Sequence, residues 1–364
     1  MSKEDSMKIL AINSSPRSGD QSMTELMLNR LIEGMRDAGA EVEVVNLREK
    51  TIKNCIGCFT CWTKTPGKCI HKDDMTRELF PKWLASDLVV YATPLYYHIM
   101  NGAMSTFRER TLPMLLPFFE QGDDGKTFHP LRTKVPAVVW LSVCGFPEES
   151  EFNVLSDYVN RTRHKDVTLV AEIYRPAAGT MMNPFLQDKK NDILDATTQA
   201  GRELVASMKI SPETMARIRQ SLVDSQSFAK MGNLFWKTCI SEGVTPKEFQ
   251  EKNMVPRPDS LESFMLLLPF GLNSEAAGDK KVILQFKFSG DVEDSCYFTI
   301  ERGNIVAKTG TWENPDLTIE TPFDVWIDIM TRKADGQQMF MEQKYKVNGD
   351  ISLMIRLFKR ESGQ

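Results

Sequence analysis

Five short apolar runs, each followed by a helical pattern, most constrain the fold of this chain. The runs are nearly continuous and rich in β-branched residues, which is typical of parallel strands buried on both faces. They occupy residues 8–12, 42–45, 88–92, 135–141 and 167–173, and the helical patterns lie near residues 22–38, 75–85, 101–111, 149–160 and 186–208. The alternation predicts an α/β fold with a doubly wound, five-stranded parallel sheet, whose ligands bind at the carboxyl ends of the strands.

The pattern changes twice after this region. Ser211-Pro212 and Thr245-Pro246 are helix-start signals, because a capping residue precedes Pro at the first helical position. They predict a helical connector over residues 209–258, which ends in the stiff segment Val255-Pro256-Arg257-Pro258. Beyond it, strand patterns at 282–288, 297–301, 305–308 and 317–320 precede helical patterns at 321–331 and 351–359. This order indicates a separate α+β domain, so we predict domains over 1–208 and 259–364.

Length and composition agree with two ordinary globular domains. A chain of 364 residues is longer than one hydrophobic core usually grows. Its net charge of −4 lacks the basic excess of a nucleic-acid binder, so we expect small-molecule partners and no nucleic acid. Apolar stretches are too short to cross a bilayer, and Met1 to Met7 are polar and charged where a signal peptide would be apolar. A soluble, cytoplasmic protein is expected.

The loop after the first apolar run carries an anion-binding pattern. Hydroxyl groups and one arginine lie between a strand and the start of a helix, where free backbone N–H groups attract a phosphate monoester. A plain polar turn would share this composition. The serine-proline-arginine sequence Ser15-Pro16-Arg17 resembles the phosphate loop of the NADPH-dependent FMN reductase family, whose fold is flavodoxin-like. The resemblance implies that Ser15, Arg17, Gln21 and Ser22, with Met23 beside them, hold the FMN phosphate.

Two more strand ends resemble flavin-contacting loops of the same family. The residues that the resemblance assigns to the cofactor are Pro94, Leu95, Tyr96, Tyr97, His98, Asn101 and Gly102 after the third run, and Ser142, Val143, Cys144 and Gly145 after the fourth. Aromatic and backbone groups there would pack on the isoalloxazine ring. Because the chemistry would reside on FMN, no side chain is assigned as catalytic, and Tyr96, Tyr97 and His98 are the nearest candidates for a proton donor. A surface loop with half-buried aromatic rings is the alternative.

Four cysteines crowd into one short segment. Cys55, Cys58, Cys61 and Cys69 have the spacing C-x2-C-x2-C-x7-C, and four thiolates so close can surround one metal centre. This run and the following Asp73-Asp74-Met75 resemble the iron-sulfur flavoproteins, a branch of the same family, which implies a 4Fe-4S cluster. Structural zinc and cluster-free thiols are open alternatives. The isolated Cys144, Cys239 and Cys296 are interpreted as buried apolar residues.

The last hundred residues resemble the sterol carrier protein type 2 family. The resemblance rests on Asn273-Ser274-Glu275-Ala276-Ala277, Asn314-Pro315-Asp316 and Lys346-Val347-Asn348-Gly349-Asp350. It implies an apolar ligand of sterol or fatty-acyl type. The candidate cavity residues lie at helical spacing and are Phe323, Trp326, Ile329, Met330, Met354 and Phe358. Such stripes can also form a closed core.

Taken together, these patterns predict an FMN-dependent NAD(P)H oxidoreductase joined to a lipid-binding or sterol-binding domain. The electron donor would be a nicotinamide or a ferredoxin-type protein, and the resemblance implies a homo-oligomer. The alternatives are an electron-transfer or redox-sensing lipid carrier without turnover of its own, and a scaffold whose flavin site is vestigial.

Overall fold

The computed structural model describes residues 6–122, 125–183 and 186–358. Contacts divide the chain into two compact units, Met1–Leu222 and Val223–Gln364, called unit 1 and unit 2 below. In the described ranges, none of the helices has the length and apolar character needed to span a membrane.

Unit 1 contains the predicted alternation of strands and helices. Its strands are β1 Lys8–Asn13, β2 Glu41–Asn46, β3 Leu88–Tyr96, β4 Ile99–Met100, β5 Glu120–Gln121, β6 Thr127–Phe128, β7 Ala137–Val143 and β8 Leu169–Arg175. Its helices are α1 Met23–Asp37, α2 Phe80–Leu84, α3 Gly102–Glu109, α4 Asn153–Thr162, α5 Gln187–Ser207 and α6 Pro212–Arg219, and a π-helix, Met75–Leu79, runs directly into α2. All five predicted strands and helices are present, with boundaries within a few residues.

The main sheet of unit 1 has the order β2-β1-β3-β7-β8, and these five strands are parallel. This is the flavodoxin-like order of a doubly wound sheet, so the predicted fold class is confirmed. The carboxyl ends of β1, β3 and β7 lie side by side at the switch point, where such folds bind ligands. Short β4 turns back antiparallel on β3 at this edge.

Helix α1 is held against α5 by two glycines. A Cβ atom at Gly34 would clash with the carbonyl oxygen of Thr198, and one at Gly201 would clash with that of Leu31. The two helix backbones therefore approach more closely than larger residues would allow. This contact fixes α1, whose N-terminus faces the loop after β1.

Unit 2 has a five-stranded mixed sheet with the order β11-β10-β9-β12-β13, in which only β9 and β12 pair in parallel. The strands are β9 Val282–Ser289, β10 Ser295–Glu301, β11 Asn304–Thr309, β12 Leu317–Pro322 and β13 Lys346–Gly349. The helices are α7 Ser225–Glu242, α8 Pro246–Glu251, α9 Leu261–Leu267, α10 Phe323–Met330, α11 Gly336–Met341 and α12 Ile351–Phe358. The predicted α+β class is confirmed, with β13 added between the helices.

The predicted connector is helical, and the boundary between the two units, after Leu222, falls inside it. Ser211 caps α6, and Thr245 forms a capping box with Glu248, as their spacing indicates. The predicted domain limits themselves stay a prediction. Thr321 and Pro322 differ from the expectation, because they end β12 and the helix begins only at Phe323.

Candidate functional site

Hydrogen bonds join the three loops at the carboxyl edge of the main sheet. The backbone N–H of Ser14 donates to the carbonyl oxygen of Ala92 over 2.9 Å, which joins the first loop to β3. Asn101 Nδ2 donates to the carbonyl oxygen of Ser14 over 2.6 Å, and Ser142 Oγ donates to that of Thr93 over 2.9 Å. The three segments that the sequence analysis selected are therefore parts of one continuous surface.

The loop after β1 is organised by two buried serines. Ser22 Oγ accepts from the N–H of Glu25 at 3.1 Å and caps α1, and it donates to Ser15 Oγ over 2.8 Å. Ser15 Oγ accepts from the N–H of Arg17 at 3.2 Å. The first amides of a helix have no partner within it, so hydroxyl groups and N–H donors converge where an anion is expected.

Other members of this loop behave differently. The side chains of Arg17 and Gln21 are exposed, and Met23 is half-buried. The carboxylate of Glu25 does not reach back to Ser22 as a capping box would require; it accepts from Asn13 Nδ2 and from Arg48 Nη1. Arg48 therefore gives the loop a second cation, which sequence reasoning missed because it follows β2 rather than β1.

The loop between β3 and β4 is a tight hairpin turn with unusual residues. Tyr97 and His98 have φ angles of 49° and 62°, a left-handed conformation that favours Gly and Asn at both central positions of such a turn. Residues outside that group cost on the order of 1 kcal/mol or more each there. The Tyr97 side chain is 98% exposed. Strain and an exposed ring together indicate that the turn is shaped for contact rather than for stability.

At the end of β7 the backbone, rather than the thiol, borders the site. The N–H of Cys144 donates to the carbonyl oxygen of Arg175, and its own carbonyl oxygen accepts from Ala178. The thiol donates to the carbonyl oxygen of Phe146 over 3.2 Å, and burial raises the pKa of Cys144. A Cβ on Gly145 would meet open space, so this point of the edge is unobstructed.

Four thiols and three other polar side chains line one small pocket in unit 1. We call it the cysteine pocket; its polar lining is Cys55, Cys58, Cys61, Cys69, His71, Glu109 and Arg110. All four cysteines are free thiols, and the pocket has a volume of about 20 Å³, room for a single water molecule. Burial and the neighbouring thiolates, chiefly that of Cys69, raise the pKa of Cys61. The structure thus gathers the four predicted ligands around one space.

The pocket fits a metal centre by the chemistry of its donors rather than by the spacing of its side chains. Within the described residues, no group of three or more His, Cys, Asp or Glu side chains is placed to hold a metal ion. Residues 51–73, all of them described, contain neither helix nor strand. The donor chemistry fits an iron-sulfur cluster, and two buried polar atoms of the pocket, His71 Nε2 and Arg110 Nε, lack a partner among the described residues.

A buried ion pair closes the base of this segment. Arg110 Nη1 donates to Asp73 Oδ2 over 2.6 Å and to the carbonyl oxygen of Lys53 over 2.6 Å. Asp73 also accepts from the N–H of Lys53 over 2.9 Å. Burial works against the Asp73 charge, but the Arg110 bonds prevail and hold its pKa well below the usual range. Sequence reasoning noted Asp73 and missed Arg110.

The six candidate lipid-site residues of unit 2 meet in its core. Phe323 and Trp326 are buried, and Ile329, Met330, Met354 and Phe358 pack against the same cluster. The Trp326 ring centroid lies 5.1 Å from that of Phe286 and 5.5 Å from that of Phe358. Aromatic rings of the chain itself therefore occupy the space between the stripes.

Comparison with protein families agrees with this geometry. Residues 7–147, which contain the three loops and the cysteine pocket, match the NADPH-dependent FMN reductase family. Unit 1 contains a domain of this family. Residues 274–359 match the SCP-2 sterol transfer family, so the chain joins an FMN reductase domain to an SCP-2 domain. Both resemblances drawn from the sequence are confirmed.

Curated relatives match the FMN reductase domain. An iron-sulfur flavoprotein from Archaeoglobus fulgidus is 40% identical over 108 residues, which cover 29% of this chain and 46% of the relative. An iron-sulfur flavoprotein from Methanocaldococcus jannaschii is 29% identical over 112 residues, which cover 31% of this chain and 55% of that relative. The chain thus spans about half the length of the curated relatives it matches. Among solved structures, an azoreductase from Bacillus anthracis is 13% identical with a TM-score of 0.41, covering 55% of this chain and 98% of that one.

Proposed function

We propose that the chain is an FMN-dependent oxidoreductase that accepts electrons from NADH or NADPH. The observation that carries the proposal is the carboxyl edge of the sheet, where the Ser15–Ser22 pair and the N-terminus of α1 meet the β3–β4 hairpin. In an FMN reductase domain, this edge is suited to a flavin phosphate at one end and its ring at the other. When bound, FMN supplies hydride chemistry and can pass electrons one at a time.

The chain's own residues would do three things at this edge. The amides of α1 and the hydroxyls of Ser15 and Ser22 would bind the phosphate, with Arg17 and Gln21 closing over it from the exposed side. The backbone of residues 143–145 and the side chains of Tyr96 and Tyr97 would border the ring. His98 Nδ1 lies 3.2 Å from Glu151 Oε2, so the carboxylate can orient this imidazole at the same edge.

The first test is cofactor content and turnover of the full chain. We expect flavin bands in the visible spectrum and steady oxidation of NADH or NADPH with a quinone as acceptor. Ser15→Ala should weaken FMN binding about tenfold, the cost of one lost hydrogen bond to a charged group. Ser18→Ala, an exposed serine of the same loop, is the matched control. Bound flavin without turnover, with every acceptor and both nucleotides, would support the electron-transfer carrier instead.

We further propose that the cysteine pocket holds a 4Fe-4S cluster. Three observations support this: the curated relatives are iron-sulfur flavoproteins, the four thiols line one pocket, and two buried polar atoms beside them lack a partner in the described part of the chain. Iron and acid-labile sulfide should both be near four per chain after purification without oxygen. Cys69→Ser should lose most of the iron, whereas Cys239→Ser, an isolated buried cysteine in unit 2, should not. Zinc in place of iron, or free thiols without metal, would contradict the proposal.

The SCP-2 domain is proposed to bind an apolar ligand by displacing aromatic side chains from its core. Met354 is partly buried against that core, whereas the adjacent Ile355 is 61% exposed. Met354→Trp should therefore fill the site and reduce binding of a fluorescent fatty acid, and Ile355→Trp should leave it unchanged. Equal binding by both variants would place the ligand elsewhere. The homo-oligomer and the cytoplasmic location stay predictions.

A further inference from the structure

Two polar atoms of the cysteine pocket are buried without a partner in the described part of the chain: Arg110 Nε and His71 Nε2. Native proteins pair the great majority of such atoms, since each one left unpaired costs on the order of 1–3 kcal/mol. Both residues line the pocket beside the four thiols. Burial works against the charge of Arg110, but Asp73 and the thiolate of Cys69 lie close enough to raise the pKa of Arg110, so the nearest acceptor for this donor is a sulfur atom that would itself be a cluster ligand.

The hydrogen bonds of Arg110 leave only one direction open. Nη1 donates to Asp73 Oδ2 and the carbonyl oxygen of Lys53, and Nη2 donates to Asp73 Oδ1 and Thr76 Oγ1. A guanidinium carries five N–H groups in one rigid plane, so these four bonds use every donor except Nε–H. Because the plane is fixed by four bonds, Nε–H cannot rotate away from the pocket wall.

The charge of Arg110 is already matched. Its side chain and that of Asp73 are each 1% exposed, and their ion pair is 2.6 Å long. The pair is therefore close to neutral as seen from the pocket. What Arg110 offers to a bound group is a fixed hydrogen-bond donor, not a free positive charge.

We propose that Arg110 and His71 are positioning residues that donate hydrogen bonds from Nε–H and Nε2–H to sulfur atoms of the cluster. This inference rests on the proposed cluster. Hydrogen bonds to sulfur stabilise the more negative, reduced form, so they set the reduction potential of such a centre. The assignment requires the tautomer of His71 that carries its proton on Nε2.

The test is a redox titration of the anaerobic full-length protein, followed by electron paramagnetic resonance. Arg110→Lys keeps the positive charge beside Asp73 but has no Nε–H, and His71→Phe removes the imidazole. Each should shift the reduced-to-oxidised ratio at least tenfold toward oxidised, about 59 mV for a one-electron couple. His71→Gln keeps an N–H donor, so its reduction potential should lie close to that of the wild-type protein. Lys72→Gln is the control, because it removes an exposed neighbouring charge without touching either donor.

Each outcome is decisive. Wild-type protein without iron and sulfide would overturn the cluster and this assignment together. Loaded wild type, with Arg110→Lys and His71→Phe at the wild-type potential, would overturn the assignment alone. Isotope labelling of the arginine and histidine side-chain nitrogens in the wild-type protein gives a test that needs no variant to fold. Hyperfine coupling from both nitrogens to the reduced cluster is expected, and its absence would overturn the assignment.

Discussion

Replacing Asn101 should loosen the candidate flavin site, because this side chain joins two of its loops. The side chain is 6% exposed; its Oδ1 accepts from the N–H of Met104 and caps α3, and its Nδ2 donates to the carbonyl oxygen of Ser14. Asn101→Ala loses the cap, about 1 kcal/mol, and leaves a buried carbonyl unpaired, about 1–3 kcal/mol. The free energy needed to open this part of unit 1 should therefore fall by about 2–4 kcal/mol, the sum of the two effects.

Asn101→Ser separates the two contributions. Serine caps helices as well as asparagine does, but its side chain is too short to reach the carbonyl oxygen of Ser14. The expected loss of opening free energy is therefore that of the unpaired carbonyl alone, about 1–3 kcal/mol. Hydrogen exchange of the full chain, read by mass spectrometry, gives opening free energies for peptides from β1 and α3. Peptides from β9, in unit 2, serve as the internal reference and should not change. Wild-type protection of β1 in Asn101→Ser would refute the argument that this hydrogen bond holds the two loops together.

Three further changes test other parts of unit 1. Ser22→Ala should cost about 1 kcal/mol in α1 by loss of its cap and weaken FMN binding; flavin fluorescence measures the second effect, and unchanged binding would exclude Ser22 from the phosphate site. Tyr97→Asn with His98→Gly should relieve left-handed strain and stabilise the β3–β4 hairpin by about 1–2 kcal/mol while reducing turnover; an equally active, more stable variant would show that the rings do not serve the flavin. Burial opposes the Glu203 charge, but bonds from Ser211 and Thr214 prevail and lower the pKa of Glu203. Glu203 should stabilise α6 fully above about pH 4.3, the usual pKa of a glutamate, and this stabilisation should disappear as the pH falls through the lower pKa that Glu203 has in the folded protein. The difference in α6 hydrogen exchange between wild type and Glu203→Gln should therefore vanish in acid.

The sheet of unit 1 could be predicted because buried parallel strands leave a direct trace in sequence. A strand covered on both faces must be apolar at nearly every position, so β1 and β3 could be predicted from the sequence without knowing which strands lie beside them. The loops followed from them, since a strand end fixes where a loop can lie. The turn at Tyr97 and His98 could not be predicted this way, because its usual signal is Asn-Gly and neither residue is present.

The pair of Arg110 and Asp73 shows what such reasoning cannot reach. The two residues are 37 positions apart, and each lies in a segment whose polar residues suggest an ordinary surface. Only the fold brings α3 against the start of the π-helix and buries both side chains. A spacing rule finds the cysteines, which are near one another in sequence, and misses the arginine beneath them.

This same pair indicates how a small pocket could accept a larger group. Lys53 and Asp73 lie at the two ends of the cysteine segment, and both are bonded to Arg110, so the ends are already joined before anything binds. Closing a flexible segment of about 19 residues costs on the order of 2–3 kcal/mol, and here the bonds of Arg110 to both ends offset that cost. The residues in between have no helix or strand to break when the thiols move together. The structure therefore fixes the two ends of the segment through Arg110, while the residues that carry the thiols lie between them without regular secondary structure.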